Sequence, residues 1–292
     1  MAKDFFDASD DVKSSAVFTE EGDKPELKFV APVVNDNESP IVVFVGPATS
    51  GKSMILVRLA QYLRDKGYII SPDTTFVGTD EYQRDCVLFK KKLSTNIALD
   101  GTLNYLLLSV SDHNGNKISQ LLEAPGEDYF NPAEPEKQIP HYLNTIMSSQ
   151  NRKTYVILLD LDSSFSLRNH KEERDMYAQR LISEIYPNIN HQRDRVILLY
   201  NKIDKTNFGN RNTVTNLKQA RKDAELYYPA LFSSFKKRLL GGLWELDDFV
   251  FMPFCTGIYT DQVDEYGKSF KTYIAADNSY PEALWNEVIR KW

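Results

Sequence analysis

The stretch Ile41-Val42-Val43-Phe44-Val45-Gly46-Pro47-Ala48-Thr49-Ser50-Gly51-Lys52-Ser53 decides the fold. Its first five residues are all apolar and mostly β-branched. They lack the alternation of a half-exposed strand and read as a strand buried on both faces. From Lys52 to Lys66, Leu56, Leu59, Ala60 and Leu63 fall on one helical face, and Gly67 reads as the C-cap. The buried-strand signature returns at Tyr155 to Leu161, Val196 to Tyr200 and Phe249 to Phe254. Helical patterning covers 138–149, 170–186, 213–239 and 281–291. Strands alternating with helices predict a mostly parallel sheet covered on both faces. One pair breaks the alternation: Leu103 to Ser111 and Lys117 to Leu122 flank Asp112-His113-Asn114-Gly115-Asn116, a hairpin turn. The expected architecture is therefore α/β in three layers, with one antiparallel edge hairpin strand.

Residues 46–53 match G-x-x-x-x-G-K-[ST] at every fixed position and join the buried strand to the helix, the context this motif needs. The glycines Gly46 and Gly51 let the backbone of Pro47, Ala48, Thr49 and Ser50 wrap a phosphate with its N–H groups turned inward. Lys52 can reach the β- and γ-phosphates, and Ser53 can ligate Mg²⁺. The bland alternative is a turn between strand and helix. After the strand Val196 to Tyr200 comes Asn201-Lys202-Ile203-Asp204, or N-K-x-D, at the carboxyl end where ligands sit in open α/β sheets. The Asp204 carboxylate can accept from both N1–H and the 2-amino group of guanine, a donor pair adenine lacks. Asn201 can brace the loop, and the aliphatic stem of Lys202 can cover the ring face. Taken alone, this box also reads as a helix cap.

With both boxes in this order, residues 38–292 resemble the Ras-like superfamily of P-loop GTPases. The resemblance implies a P-loop NTPase fold and a Mg²⁺-dependent GTP/GDP switch with slow hydrolysis. It places a base-contacting turn after the next buried strand, at Cys255-Thr256-Gly257, where only a small polar residue is shared with the usual pattern. It places the D-x-x-G segment at Glu123-Ala124-Pro125-Gly126, so that Gly126 meets the γ-phosphate and Glu123 stands where aspartate is usual, on the metal. Glu127 takes the position of the water-orienting glutamine, or else forms a solvated acidic turn with Asp128. The switch threonine, which would touch both metal and γ-phosphate, falls on Thr102, with Thr95 second. Any arginine finger would be Arg84 or come from a partner.

The chain has 292 residues, 42% apolar and 26% charged, with a formal net charge of −6. That excludes wholesale disorder and argues against a general electrostatic grip on nucleic acid. Cys86 and Cys255 stand far apart with no histidine cluster beside them, which excludes a disulfide framework or a cysteine-based metal site. No apolar run has bilayer-spanning length, and no signal-peptide core or lipidation motif is present. The expectation is a cytoplasmic protein with neither membrane insertion nor a lipid anchor. Residues 1–24 read as an acidic tail and 25–292 as one enlarged domain, with insertions near 70–100 and 205–245. Leu27 to Val30 reads as a short edge strand, and Thr79 to Leu93 as an inserted helix whose Lys90-Lys91-Lys92 run is solvated. Tyr227, Tyr228, Phe232, Phe235 and Trp244 read as packing of the second insertion. Asp160 and Asp162 read as strand-end caps.

Two rival functions remain open. A non-hydrolysing GTP-dependent scaffold is favoured by Glu123 and Glu127. A P-loop kinase needs clustered lid arginines, for which Arg211, Arg221 and Arg238 are dispersed. A protein partner, including an activating one, is expected for the switch.

Overall fold

The computed structural model describes residues 36–73, 80–95, 106–159, 171–206, 216–239, 244–267 and 269–290. The tail, the Leu27 to Val30 strand, Thr79, Thr102, Leu103 to Tyr105, Asp160, Asp162 and Arg211 lie outside them.

Strand β1 (Ile41–Val45) lies inside a seven-stranded sheet, with every residue buried. It runs parallel to β4 (Lys117–Glu123), with Val42 opposite Leu121, and to β5 (Lys153–Leu159), with Val43 opposite Tyr155. Beyond β5 come β6 (Arg195–Tyr200) and β9 (Val250–Pro253), both parallel. On the other side β3 (Leu106–Ser111) pairs antiparallel with β4, as the hairpin signal predicts. Asp112 makes the turn: its Oδ1 accepts from the main chain of Asn114 and Asn116, both at 2.8 Å, and Gly115 takes a φ of 82°. The structure adds β2 (Ile69–Pro72) outside β3, antiparallel to it. The edge position is thus held by β2, and β3 is the one strand that runs against the other six.

Helices cover both faces, which is why β1, β5 and β6 carry unbroken apolar sequence. Helix α1 (Lys52–Asp65) packs against α8 (Ser279–Ile289). Buried Arg58 on α1 ties the two, donating to the Ala276 carbonyl at 3.0 Å and to Asn278 Oδ1. The inserted helix is α2 (Asp80–Lys92), with Lys90 and Lys91 exposed. After α3 (Gly126–Tyr129) and α4 (His141–Ser148), α5 (Lys171–Arg180) continues into a π-helical turn at Leu181–Ile185.

The helix expected over 213–239 is corrected. It divides into α6 (Leu217–Tyr227) and α7 (Pro229–Ser234). Pro229 has no N–H to continue α6, and Tyr228 leaves helical geometry at φ −128°, ψ 49°. The chain then turns into β7 (Lys236–Leu239), which pairs with β8 (Trp244–Asp247). Tyr228, Phe232 and Phe235 are buried there, in line with their reading as packing residues. A second hairpin, β10 (Gly257–Val263) with β11 (Ser269–Ala275), stands between β9 and α8 and was not expected from sequence. Among the described residues, no helix is long and apolar enough to cross a membrane.

Candidate functional site

The loop after β1 leaves the carboxyl end of a fully buried strand, so the strand fixes where it starts. Thr49 and Gly51 take left-handed conformations, with φ of 61° and 96°. Glycine at 51 is required twice over, because a Cβ there would lie 2.6 Å from Asn201 Nδ2. At Gly46 a Cβ would meet Ser50 Oγ at 2.8 Å. The Lys52 side chain is buried and curls back over the loop. Its ammonium donates to the carbonyls of Gly46 at 2.9 Å and Pro47 at 3.1 Å. Burial pushes the Lys52 pKa down, while Glu123, Glu127 and Asp128 hold it up.

The end of β4 faces this loop. Ser53 Oγ donates to Glu123 Oε1. Glu123 is fully buried, and its Oε2 has no hydrogen-bond partner. Burial raises the Glu123 pKa, against the Ser53 bond and the Lys52 charge. A hydroxyl beside a carboxylate with one orphaned oxygen is a hard-oxygen donor set that fits Mg²⁺, which keeps most of its shell as water and phosphate. Among the described residues no group of three or more His, Cys, Asp or Glu is placed to hold a metal, so the remaining ligands would have to come from water and phosphate.

Gly126 lies directly on the loop: a Cβ there would sit 2.1 Å from the Ala48 nitrogen and 2.4 Å from the Pro47 carbonyl carbon. Both obstacles are backbone and cannot swing aside. Gly126→Ala is therefore expected to push the two segments apart and lower the thermal midpoint by about 5 °C, read by differential scanning calorimetry. An unchanged midpoint would mean that the two segments are not in contact. Next along the chain, Glu127 is exposed, whereas Asp128 Oδ2 accepts from the Tyr142 hydroxyl on α4. Asp128 is thus engaged in holding α3 to α4.

The N-K-x-D segment meets the same loop from β6. Asn201 is buried, and its Nδ2 donates to the Ser50 carbonyl at 2.8 Å. Lys202, at φ 55°, donates to the Thr49 carbonyl at 3.2 Å. Ile203 N–H donates to the Phe254 carbonyl at 3.2 Å, which joins the end of β9 to this box. There the Cys255 thiol donates to Asp204 Oδ1 at 3.5 Å, and burial pushes its pKa up to about 12. Gly257 opens β10 at a φ of 156°, where a Cβ would lie 2.3 Å from the Ile274 carbonyl oxygen.

The structure therefore brings Gly46 to Ser53, Glu123, Gly126, Asn201, Lys202, Asp204 and Cys255 to Gly257 to one end of the sheet. Thr102 is outside the described residues. Thr95 lies three residues past the end of α2, its N–H on the Lys92 carbonyl at 3.2 Å. Its neighbours Leu93 and Ser94 border a cavity with Gln61, Arg64 and Asp65, about two to three turns along α1 from Ser53. Sequence reasoning missed Tyr142, which holds Asp128, and Tyr259, whose hydroxyl is 2.7 Å from Thr256 Oγ1. Nothing in the sequence singles out Tyr259, because residues 257–263 carry no alternation of apolar and polar residues.

No protein-family model and no curated protein sequence matches the chain. Among solved structures it is similar to nucleolar GTP-binding protein 1 of Plasmodium falciparum, at 14% identity over 77% of this chain and 80% of that one, with a TM-score of 0.38. It is also similar to GDP-bound aIF5B of Aeropyrum pernix, at 14% identity over 75% of this chain, with a TM-score of 0.33. That match spans 33% of the length of aIF5B. At these values neither likeness bears on what this chain does.

Proposed function

We propose that this chain binds GTP and GDP, with Mg²⁺, across the loop at 46–53 and the boxes at 201–204 and 255–257. The observation that carries this reading is the pair of direct bonds between the first two segments. Asn201 grips the Ser50 carbonyl and Lys202 the Thr49 carbonyl, so a phosphate cradle and a base-reading carboxylate form one surface. Inward N–H groups of the loop, the Lys52 ammonium and the start of α1 hold the phosphates. Asp204 takes the two guanine donors. Ser53 and Glu123 would hold Mg²⁺, whose charge neutralises the phosphates when bound. Gly126, and Thr102 in the first switch, report whether the γ-phosphate is present, and a protein partner reads the difference. The domain spans about 25–292 and works in the cytoplasm, without nucleic acid.

Hydrolysis is slow in this reading. Glu127 is exposed and carries a negative charge toward the γ-phosphate, and Asp128 is held by Tyr142. These two observations also favour a second reading, a GTP-dependent scaffold that does not hydrolyse at all. Single-turnover phosphate release separates the two: release above buffer supports the enzyme, and none with tight GTP binding supports the scaffold. A kinase lid is poorly served, because Arg221 is already paired with Glu225 at 2.9 Å and Asp247 at 2.7 Å.

Chelation tests the metal assignment. GTP affinity of the unaltered chain is expected to fall at least about tenfold when Mg²⁺ is replaced by EDTA, and in Glu123→Gln by less than about threefold. Equal chelation effects in the two proteins would remove Glu123 from the metal site.

A further inference from the structure

The hairpin β10–β11 begins inside the 255–257 turn, and its first side-chain contact, from the partly exposed Tyr259, returns to that turn. Thr256 is buried, and its hydroxyl is 2.7 Å from the Tyr259 hydroxyl, three residues on. The Thr256 carbonyl accepts from Ala276 N–H at 3.1 Å, at the far end of the hairpin. Tyr259 stands directly opposite Tyr273 in the β10–β11 register, and the two rings stack with centroids 5.8 Å apart and planes inclined by 29°. Tyr273 is buried, and its hydroxyl donates to Gln61 Oε1 on α1 at 2.8 Å. α1 is the helix that begins with Lys52 and Ser53. A continuous path of contacts thus runs from the 255–257 turn through Tyr259, Tyr273 and Gln61 to the helix carrying the phosphate contacts. Gly257 makes the path possible, since only glycine fits against the Ile274 carbonyl.

We propose that Tyr259 is a positioning residue for guanine. Its phenol holds Thr256 so that the main-chain N–H of the 255–257 turn faces the guanine O6, and the Tyr259–Tyr273 stack fixes that turn relative to α1. This rests on the guanine-nucleotide reading above and names a residue that the reading does not need. Asp204 reads the N1 and 2-amino edge, and Tyr259 acts only on the O6 edge. An effect at one edge alone is therefore its signature.

Tyr259→Phe keeps the ring and its stack on Tyr273 and removes only the hydroxyl. The experiment is a binding titration of the unaltered full chain and of this variant with three probes. These are GDP, 6-thio-GDP, whose sulfur accepts hydrogen bonds poorly at the O6 position, and IDP, which lacks the 2-amino group. The variant is expected to bind GDP about fivefold more weakly, the size of one net hydrogen bond. The loss should shrink to less than about twofold with 6-thio-GDP and persist with IDP. Equal affinities of the two proteins for GDP would overturn the proposal. The same loss with GDP and 6-thio-GDP would also overturn it, showing that the hydroxyl merely stabilises the fold. Failure of the unaltered chain to bind GDP would instead overturn the parent reading, and this assignment with it.

Discussion

Lys52→Met is expected to weaken GDP binding by at least about a hundredfold while moving the thermal midpoint of the nucleotide-free chain by less than about 3 °C. The first half follows from the ammonium's place in the loop. It is buried and held over the loop by two carbonyls, and in the proposed site its positive charge would face a pyrophosphate in a water-poor setting. Losing a desolvated charge pair of that kind costs about 3 kcal/mol or more, or about two decades in Kd. The second half follows from opposed terms. Burial of Lys52 is unfavourable, as its lowered pKa records, and its two carbonyl bonds together with the field of Glu123 offset that cost. Methionine fills the same channel without the charge. A fall in midpoint beyond about 10 °C would make Lys52 a structural strut. Unchanged GDP affinity would remove it from the phosphate site. Calorimetric scans and a GDP titration read both halves.

Asp204→Asn is expected to reduce GDP affinity about a hundredfold and leave ATP binding, already weak, unchanged. The carboxylate presents acceptors only, and the Cys255 thiol at 3.5 Å occupies just one side of Oδ1. Two guanine donors can therefore bond to it together. An amide substitutes a donor for one of those oxygens and sets an N–H against a guanine N–H. Leaving a donor unmatched in a closed site costs more than the lost bond, which is how such sites discriminate by large factors. The measurement is competition of GDP and ATP against a fluorescent guanine nucleotide. Equal losses for both nucleotides would mean that Asp204 shapes the loop without reading the base.

The parts of the fold legible in the sequence are those buried on both faces. β1, β5 and β6 have no solvent side, so their sequences have no polar alternation and stand out as apolar runs. Because β1 and β6 each carry a box at the carboxyl end, much of the candidate site was legible with them. The two-stranded elements were not. β10 is exposed from Tyr259 to Val263, with no buried face to impose an alternation, and β2 is four residues with Pro72 at its end. Such segments cannot be told from loops by composition. Helix patterning past Ser234 was misleading for a different reason. Leu231, Phe232 and Phe235 keep a helical spacing into the core, but the chain after Phe235 is held by pairing with 244–247, a partner no local pattern specifies.

Side-chain contacts between distant segments were equally hidden. The thiol of Cys255 on Asp204, the Asn201 grip on Ser50 and the Tyr273 bond to Gln61 each join residues about 50 to 210 positions apart. Glu123, standing where the resemblance would place an aspartate, was visible as a letter. Its consequence was not: the longer side chain reaches Ser53 directly and leaves its second oxygen buried and alone.

The central claim is a single guanine-nucleotide surface spanning the loop at 46–53 and the boxes at 201–204 and 255–257. Calorimetric titration of the full chain with GTP, GDP and ATP in Mg²⁺ tests it most directly. One site is expected for GTP and GDP with Kd of about 1 μM or tighter, and ATP at least about a hundredfold weaker. Binding of ATP as tightly as GTP, or no binding of any of the three, would contradict it.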